Sequence, residues 1–115
     1  MIAILPASIP RHLRAFGAMG VLDRLAADRA LGLGVADLSD PGKSLHAMIA
    51  TGKRLRDADG ANVLIVGCAG MAHYGAPLQD ATGLPVVEPC HAAVSMALGQ
   101  IALHLSHKRN ETDHA

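Results

Sequence analysis

Aromatic side chains are nearly missing from this sequence: one Phe, one Tyr and no Trp. Alanine, by contrast, fills 21 of the 115 positions. A core built from such residues buries less area per residue than an aromatic one. A chain of this length removes about two-thirds of its unfolded surface from water. The length is therefore adequate for one domain but leaves little margin, and an associating partner is expected. Half of the residues are apolar, which excludes disorder.

An excess of either charge is also missing. Ten Lys and Arg balance ten Asp and Glu. A nucleic-acid surface would carry a basic stripe, so no nucleic-acid partner is expected. No apolar run approaches the roughly 20 residues that span a bilayer. Met1 to Pro6 has no charged leader and no long apolar stretch, so neither a signal peptide nor a membrane partner is expected. The two cysteines, Cys68 and Cys90, make no disulfide framework. Free thiols in a reducing cytoplasm are the expectation.

What the sequence does have is an alternation of short apolar runs and longer helical patterns. Ile2 to Leu5 reads as a strand stopped by Pro6. Ser8 is expected to cap a helix over Arg11 to Met19, with Pro10 in its first turn. Leu31-Gly-Leu-Gly-Val-Ala-Asp-Leu38 alternates and suggests a strand. Ser39-Asp-Pro-Gly42 opens a second helix, with Leu45, Met48, Ile49 and Leu55 at helical spacing. Lys43, Lys53, Arg54, Arg56 and Asp57 form its wet face. Asn62-Val-Leu-Ile-Val-Gly67 reads as a strand buried on both faces. Met71 to Ala81 reads as a third helix with Pro77 as a kink or restart, ended by Thr82-Gly83. Leu84 to Glu88 is a further strand. Pro89 starts a last helix reaching about Ser106, nearly apolar all round, which predicts burial on most sides. A polar tail, 107–115, ends the chain. The pattern implies an α/β domain with a mainly parallel sheet flanked by helices.

Chemistry concentrates at Val66-Gly-Cys-Ala-Gly-Met71. Cys68 falls at the carboxyl end of a buried strand, the edge where open α/β sheets bind ligands. The helix that follows aims N–H groups and partial positive charge at the same spot. Both favour a thiolate and should bring the Cys68 pKa below the free value of about 8.5. The N–H groups of Ala69 and Gly70 are placed to hold a carboxylate or an enolate oxygen. The competing reading is an inert buried cysteine. Cys90-His91 opens the last helix, where a helix N-terminus is able to activate a thiol too. A metal site from Cys68, His73, Cys90 and His91 lacks pair-plus-pair spacing, so no metal is expected. His12, His46, His104, His107 and His114 are scattered and read as surface residues. Gly70 fits the second glycine of a nucleophile elbow, but Val66 occupies the place of the first.

Ala58-Asp-Gly-Ala-Asn-Val-Leu-Ile-Val-Gly-Cys-Ala-Gly-Met71 resembles the second cysteine motif of the aspartate/glutamate and hydantoin racemase superfamily, in its hydantoin/allantoin branch. Gly83-Leu-Pro-Val-Val-Glu-Pro89 and Ala92-Ala-Val-Ser-Met-Ala97 resemble the stretch after it. Ser8-Ile9-Pro10 and Gly20-Val-Leu-Asp-Arg24 are similar, less closely, to the opening of the same half. The resemblance covers nearly the whole chain but only the carboxyl-terminal half of a family member.

That resemblance implies a cofactor-independent racemase with two pseudo-symmetric α/β lobes, each giving one thiol to opposite faces of an α-carbon. Cys68 would be the second thiol. Gly67, Ala69, Gly70 and Met71 would border the substrate, and Glu88 and Pro89 would line the lobe interface. Residues 1–89 would be the second lobe, and 90–106 a helix for the other lobe or a partner. The first cysteine belongs to the absent lobe, and Cys90 is not its equivalent. The family's Thr-Thr is replaced by Ala3-Ile4. The expected substrate is a small amino-acid or hydantoin derivative. The expected partner is a second copy or a first-lobe polypeptide. Two alternatives stand beside this: a one-thiol decarboxylase of the same superfamily, and a non-catalytic half that binds a partner chain.

Overall fold

The computed structural model describes residues 1–105. Four short parallel strands carry the fold: β1 (Ile2–Ala3), β2 (Arg29–Ala30), β3 (Leu64–Ile65) and β4 (Val86–Val87). β1 pairs with β2 and β3 with β4, and a bridge between Ile2 and Val66 joins the pairs into the order β2–β1–β3–β4. Four α-helices connect and follow them: α1 (Ile9–Ala18), α2 (Pro41–Asp57), α3 (Gly75–Thr82) and α4 (Pro89–Ala102). The alternation of strand and helix gives the parallel α/β lobe that the pattern predicts.

One face of the sheet holds the core. Leu64 and Val66 point to the side of α2 and α3 and are fully buried, with Met48, Leu55 and Leu78. Each such side chain contributes about 1.5–3 kcal/mol on burial. Gly52 brings α2 close, because a Cβ there would lie 3.1–3.2 Å from Leu64, Thr82 and Leu78. Asp40 starts α2 by accepting from the N–H groups of Gly42 and Lys43, at 2.9 and 3.2 Å. Gly83 ends α3 in the left-handed conformation, φ 70°.

The other face is covered less. Residues 63, 65 and 67 share it by strand alternation. Val63 is 44 % exposed, Ile65 half-buried, and Val87 beside it on β4 is 41 % exposed. The continuous apolar run therefore does not mean full burial on both faces: on this side His12 of α1 lies near Gly67, and Asp23, Arg24, Leu25 and Ala26 border a cavity with Val63 and Ile65.

Other expectations change in detail. The alternating stretch 31–38 is not a strand. Gly32 at φ 71° turns the chain out of the sheet just after β2, and Val35–Ser39 is a 3-10 turn. Ser8 stands at the cap of α1 without a side-chain cap bond, because a 3-10 turn over Pro6–Ser8 already feeds the helix. The third helix begins as a 3-10 turn, Ala69–Tyr74, and becomes α-helical from Gly75. Pro77 has no N–H for the carbonyl four residues earlier, so the α ladder restarts there. His12 is not a surface residue: its Nδ1 lies 2.7 Å from Asp28 Oδ2, and the side chains are 13 % and 1 % exposed.

The largest difference is α4. None of its residues is buried. Val94, Met96, Leu98 and Ile101 are 58–70 % exposed. The helix expected to be buried packs on the lobe only near its start, against the 3-10 turn Ala69–Tyr74. Ser106 and the tail lie outside the described residues. No described helix is long and apolar enough to cross a membrane.

Candidate active site

Cys68 is the last extended residue after β3, φ −147° and ψ 134°, and the chain turns into the 3-10 turn directly behind it. Its position follows from Gly67, whose N–H donates to the Ile2 carbonyl at 2.8 Å. That bond ties the strand end to β1. Alternation then sends the Cys68 side chain to the α2 side. The thiol is half-buried in a cavity of about 170 Å³, lined also by Ile4, Leu38, Ser44, Met71 and Tyr74. Gly70 lines it too, and a Cβ there would lie 3.8 Å from Cys68 Sγ.

Ala69 and Gly70 open the 3-10 turn, so helical bonding gives their N–H groups no partner within it. The first backbone bond back to the strand end comes from Met71, whose N–H donates to the Cys68 carbonyl at 3.1 Å. The half-buried thiol is thus followed directly by two N–H groups with no partner among the described residues, and Gly70 lines the cavity. Ser44 is not a free donor, because its Oγ donates to the Leu38 carbonyl at 3.3 Å. Ligand pockets usually begin at about 300 Å³, so this cavity is one wall of a site rather than a whole one.

Glu88 stands between β4 and α4. It is buried, 3 % exposed, and caps α4. Its Oε1 accepts from the Cys90 N–H at 2.9 Å and its Oε2 from the His91 N–H at 2.8 Å. The bond from Cys90 first, and that from His91 after it, hold its carboxyl below the usual range despite burial. Glu88 lines a neighbouring cavity of about 410 Å³ with Gln79, Val86 and His91, and exposed His73 borders both cavities. Gly67, Ala69 and Pro89 line neither.

The start of α4 does not activate Cys90. Desolvation pushes that thiol up, and the Glu88 carboxylate at the helix start adds to the push, as does Cys68. The anion the helix favours is already supplied by Glu88. Among the described residues no group of three His, Cys, Asp or Glu side chains is placed to hold a metal ion. Ser44 and Leu38 are site residues that the sequence did not single out. They lie 24 and 30 positions before Cys68, and their only local signal is the apolar spacing around them.

Residues 1–97 match the family model for Asp/Glu/hydantoin racemases. The chain belongs to that family. A hydantoin racemase of Paenarthrobacter aurescens is 33 % identical over 105 residues, covering 90 % of this chain and 44 % of that protein. A hydantoin racemase of Rhizobium meliloti is 34 % identical over 98 residues, covering 84 % and 41 %. The crystal structure of an allantoin racemase from Pseudomonas fluorescens superposes with a TM-score of 0.85 at 30 % identity, over 96 % of this chain and 48 % of that one. Allantoin racemase from Klebsiella pneumoniae gives 0.85 at 26 %, over 96 % and 45 %. This racemase-family chain therefore spans less than half the length of the relatives it matches. The one-walled cavity at Cys68 fits that length.

Proposed function

We propose that this racemase-family lobe transfers a proton at the acidic carbon of a small amino-acid or hydantoin derivative, with Cys68 as the catalytic residue. The observation that carries the reading is the half-buried Cys68 thiol at the carboxyl edge of β3, beside the unpaired N–H groups of Ala69 and Gly70. The relatives being hydantoin and allantoin racemases supports the substrate class.

The thiolate removes the α-proton and becomes a thiol, while the bonding pair moves onto the adjacent carbonyl as an enolate. The N–H groups of Ala69 and Gly70 stabilise the oxygen where that charge develops. Met71 floors the cavity at 4 % exposure. Gly67 fixes the strand end. Glu88 and Pro89 set the direction in which α4 leaves and shape the neighbouring wall. No step calls for a cofactor.

One thiol serves one face of the carbon. Inversion needs a second acid on the opposite face, and Cys90, whose thiol desolvation and the Glu88 carboxylate push up, is rooted on α4. The second group comes from outside this lobe, from a partner or from a first lobe. A decarboxylase of the same superfamily needs only one face, and a half-protein that merely binds a partner needs none. Thiol alkylation separates these readings. Iodoacetamide should modify Cys68 faster than Cys90, and a 5-substituted hydantoin should protect Cys68. Equal rates with no protection would refute an activated, substrate-facing thiol.

A further inference from the structure

The two cysteines of this chain fall in register at the ends of neighbouring strands. β3 and β4 run parallel, with Leu64 opposite Val86 and Ile65 opposite Val87. The same register, carried past the paired residues, sets Glu88 opposite Val66, Pro89 opposite Gly67 and Cys90 opposite Cys68. The ladder itself reaches Val66, whose N–H donates to the Val87 carbonyl at 3.0 Å. Adjacent strands lie about 4.7–4.9 Å apart. A disulfide joins Cα atoms about 4.4–6.8 Å apart. The strand ends that lead to the two thiols thus start from a separation that a disulfide spans.

Two contacts oppose their parting where the strands stop. The Cys90 N–H donates to Glu88 Oε1 at 2.9 Å, which ties the first turn of α4 to the end of β4. α4 also packs against the 3-10 turn Ala69–Tyr74, which begins directly behind Cys68. The thiols sense each other: after desolvation and the Glu88 carboxylate, Cys68 adds to the upward push on Cys90. Both thiols are free, Cys68 half-buried and Cys90 exposed, so a small reagent reaches the pair.

We infer that Cys68 and Cys90 form a redox pair, closing to a disulfide within one chain by exchange with a small-molecule disulfide such as oxidised glutathione. The Cys68 thiolate attacks one sulfur of the oxidant. A bond forms between Cys68 and that sulfur, and the other half leaves as a thiolate. The Cys90 thiolate then attacks the Cys68 sulfur of this mixed disulfide, and the second half leaves. The protons of the two cysteines end on the two released thiols. Two cysteines are oxidised and one small disulfide is reduced. Attack needs a thiolate, so the upward push on Cys90 slows the second step. The closed disulfide removes the thiol that the proposed proton transfer uses, so oxidation switches that chemistry off and a dithiol restores it. This consequence rests on the catalytic reading of Cys68; the cross-link itself does not.

The test incubates the full chain with excess oxidised glutathione, traps remaining thiols with N-ethylmaleimide, and reads intact and peptide masses. The wild type should take up no maleimide, keep no glutathione, retain the mass of one chain and yield a linked Cys68–Cys90 peptide. Closure should be several-fold faster in the folded chain than in concentrated urea. Cys90→Ser, with unchanged far-UV dichroism, should stop at a glutathione adduct on Cys68, and dithiothreitol should reverse both products. A lasting glutathione adduct on wild-type Cys68, a link between two chains, or two maleimide-labelled cysteines overturns the inference. So does closure at equal rates in the folded and urea-unfolded chain, because the register would then contribute nothing. A disulfide that leaves α-proton exchange unchanged would refute the catalytic reading of Cys68 and leave the cross-link standing.

Discussion

The Gly67 N–H donates to the Ile2 carbonyl at 2.8 Å, and a Cβ on Gly67 would stand 2.7 Å from that same oxygen. The bond and the missing side chain are one device. They let β3 reach β1 where the sheet is joined by a single bridge, and they fix where Cys68 begins.

Gly67→Ala should therefore destabilise the lobe. The obstacle is a backbone oxygen, which cannot swing aside as a side chain does. A cost of about 2 kcal/mol or more is expected, at the upper part of the range for overpacking. Urea unfolding checks it. Cys68 alkylation in the remaining folded protein should change as well, because the strand end moves.

Gly52→Ala presents three contacts at 3.1–3.2 Å, all with methyl ends of buried Leu64, Leu78 and Thr82. Alanine gains up to about 1 kcal/mol of helix propensity over glycine. Crowding on three sides at once costs about 1–3 kcal/mol. The net effect should be a modest loss of stability. A raised Tm would show that α2 shifts freely away from the sheet.

Glu88 sets a pH dependence. Its carboxyl is held below the ordinary range in the folded protein, chiefly by the Cys90 N–H. Its contribution is complete above the unfolded value and is lost as pH falls through the lowered folded value. Below that point the start of α4 should fray. Glu88→Gln should lose the charge-dependent part at every pH and flatten the acid limb of a Tm–pH profile. An unchanged acid limb would contradict the assignment of Glu88 as the cap.

Asp40→Ala removes the acceptor for the Gly42 and Lys43 N–H groups at the start of α2. A loss of about 1 kcal/mol is expected from the cap alone. The Cys68 cavity should feel it too, since Ser44 of α2 lines that cavity one turn further on. Urea unfolding and the Cys68 alkylation rate measure the two effects.

Much of this was legible in the residues. The apolar spacing through Met48 and Leu55 gave α2, Asn62 to Gly67 gave β3, and Thr82-Gly83 gave the end of α3. The glycine-flanked Cys68 motif pointed to the strand edge and to the family. What stayed hidden depends on distant parts of the chain. Val63 and Leu64 are equally apolar, and only the placement of α1, α2 and α3 makes one exposed and the other buried. The apolar α4 predicted burial, but none of its residues is buried in this lobe. The Glu88-Pro89 step reads as lining the lobe interface, and its local geometry also makes a helix cap. His12 has no local signal of its pairing with Asp28, 16 positions away.

The central claim is that Cys68 moves a proton on carbon. The most direct measurement follows the C5–H signal of a 5-substituted hydantoin by NMR in heavy water, with wild-type protein and with Cys68→Ser. The account predicts loss of that signal above the buffer rate with the wild type, and a return to the buffer rate with Cys68→Ser at unchanged dichroism. Exchange that survives Cys68→Ser, or a wild-type rate no faster than buffer, would contradict it.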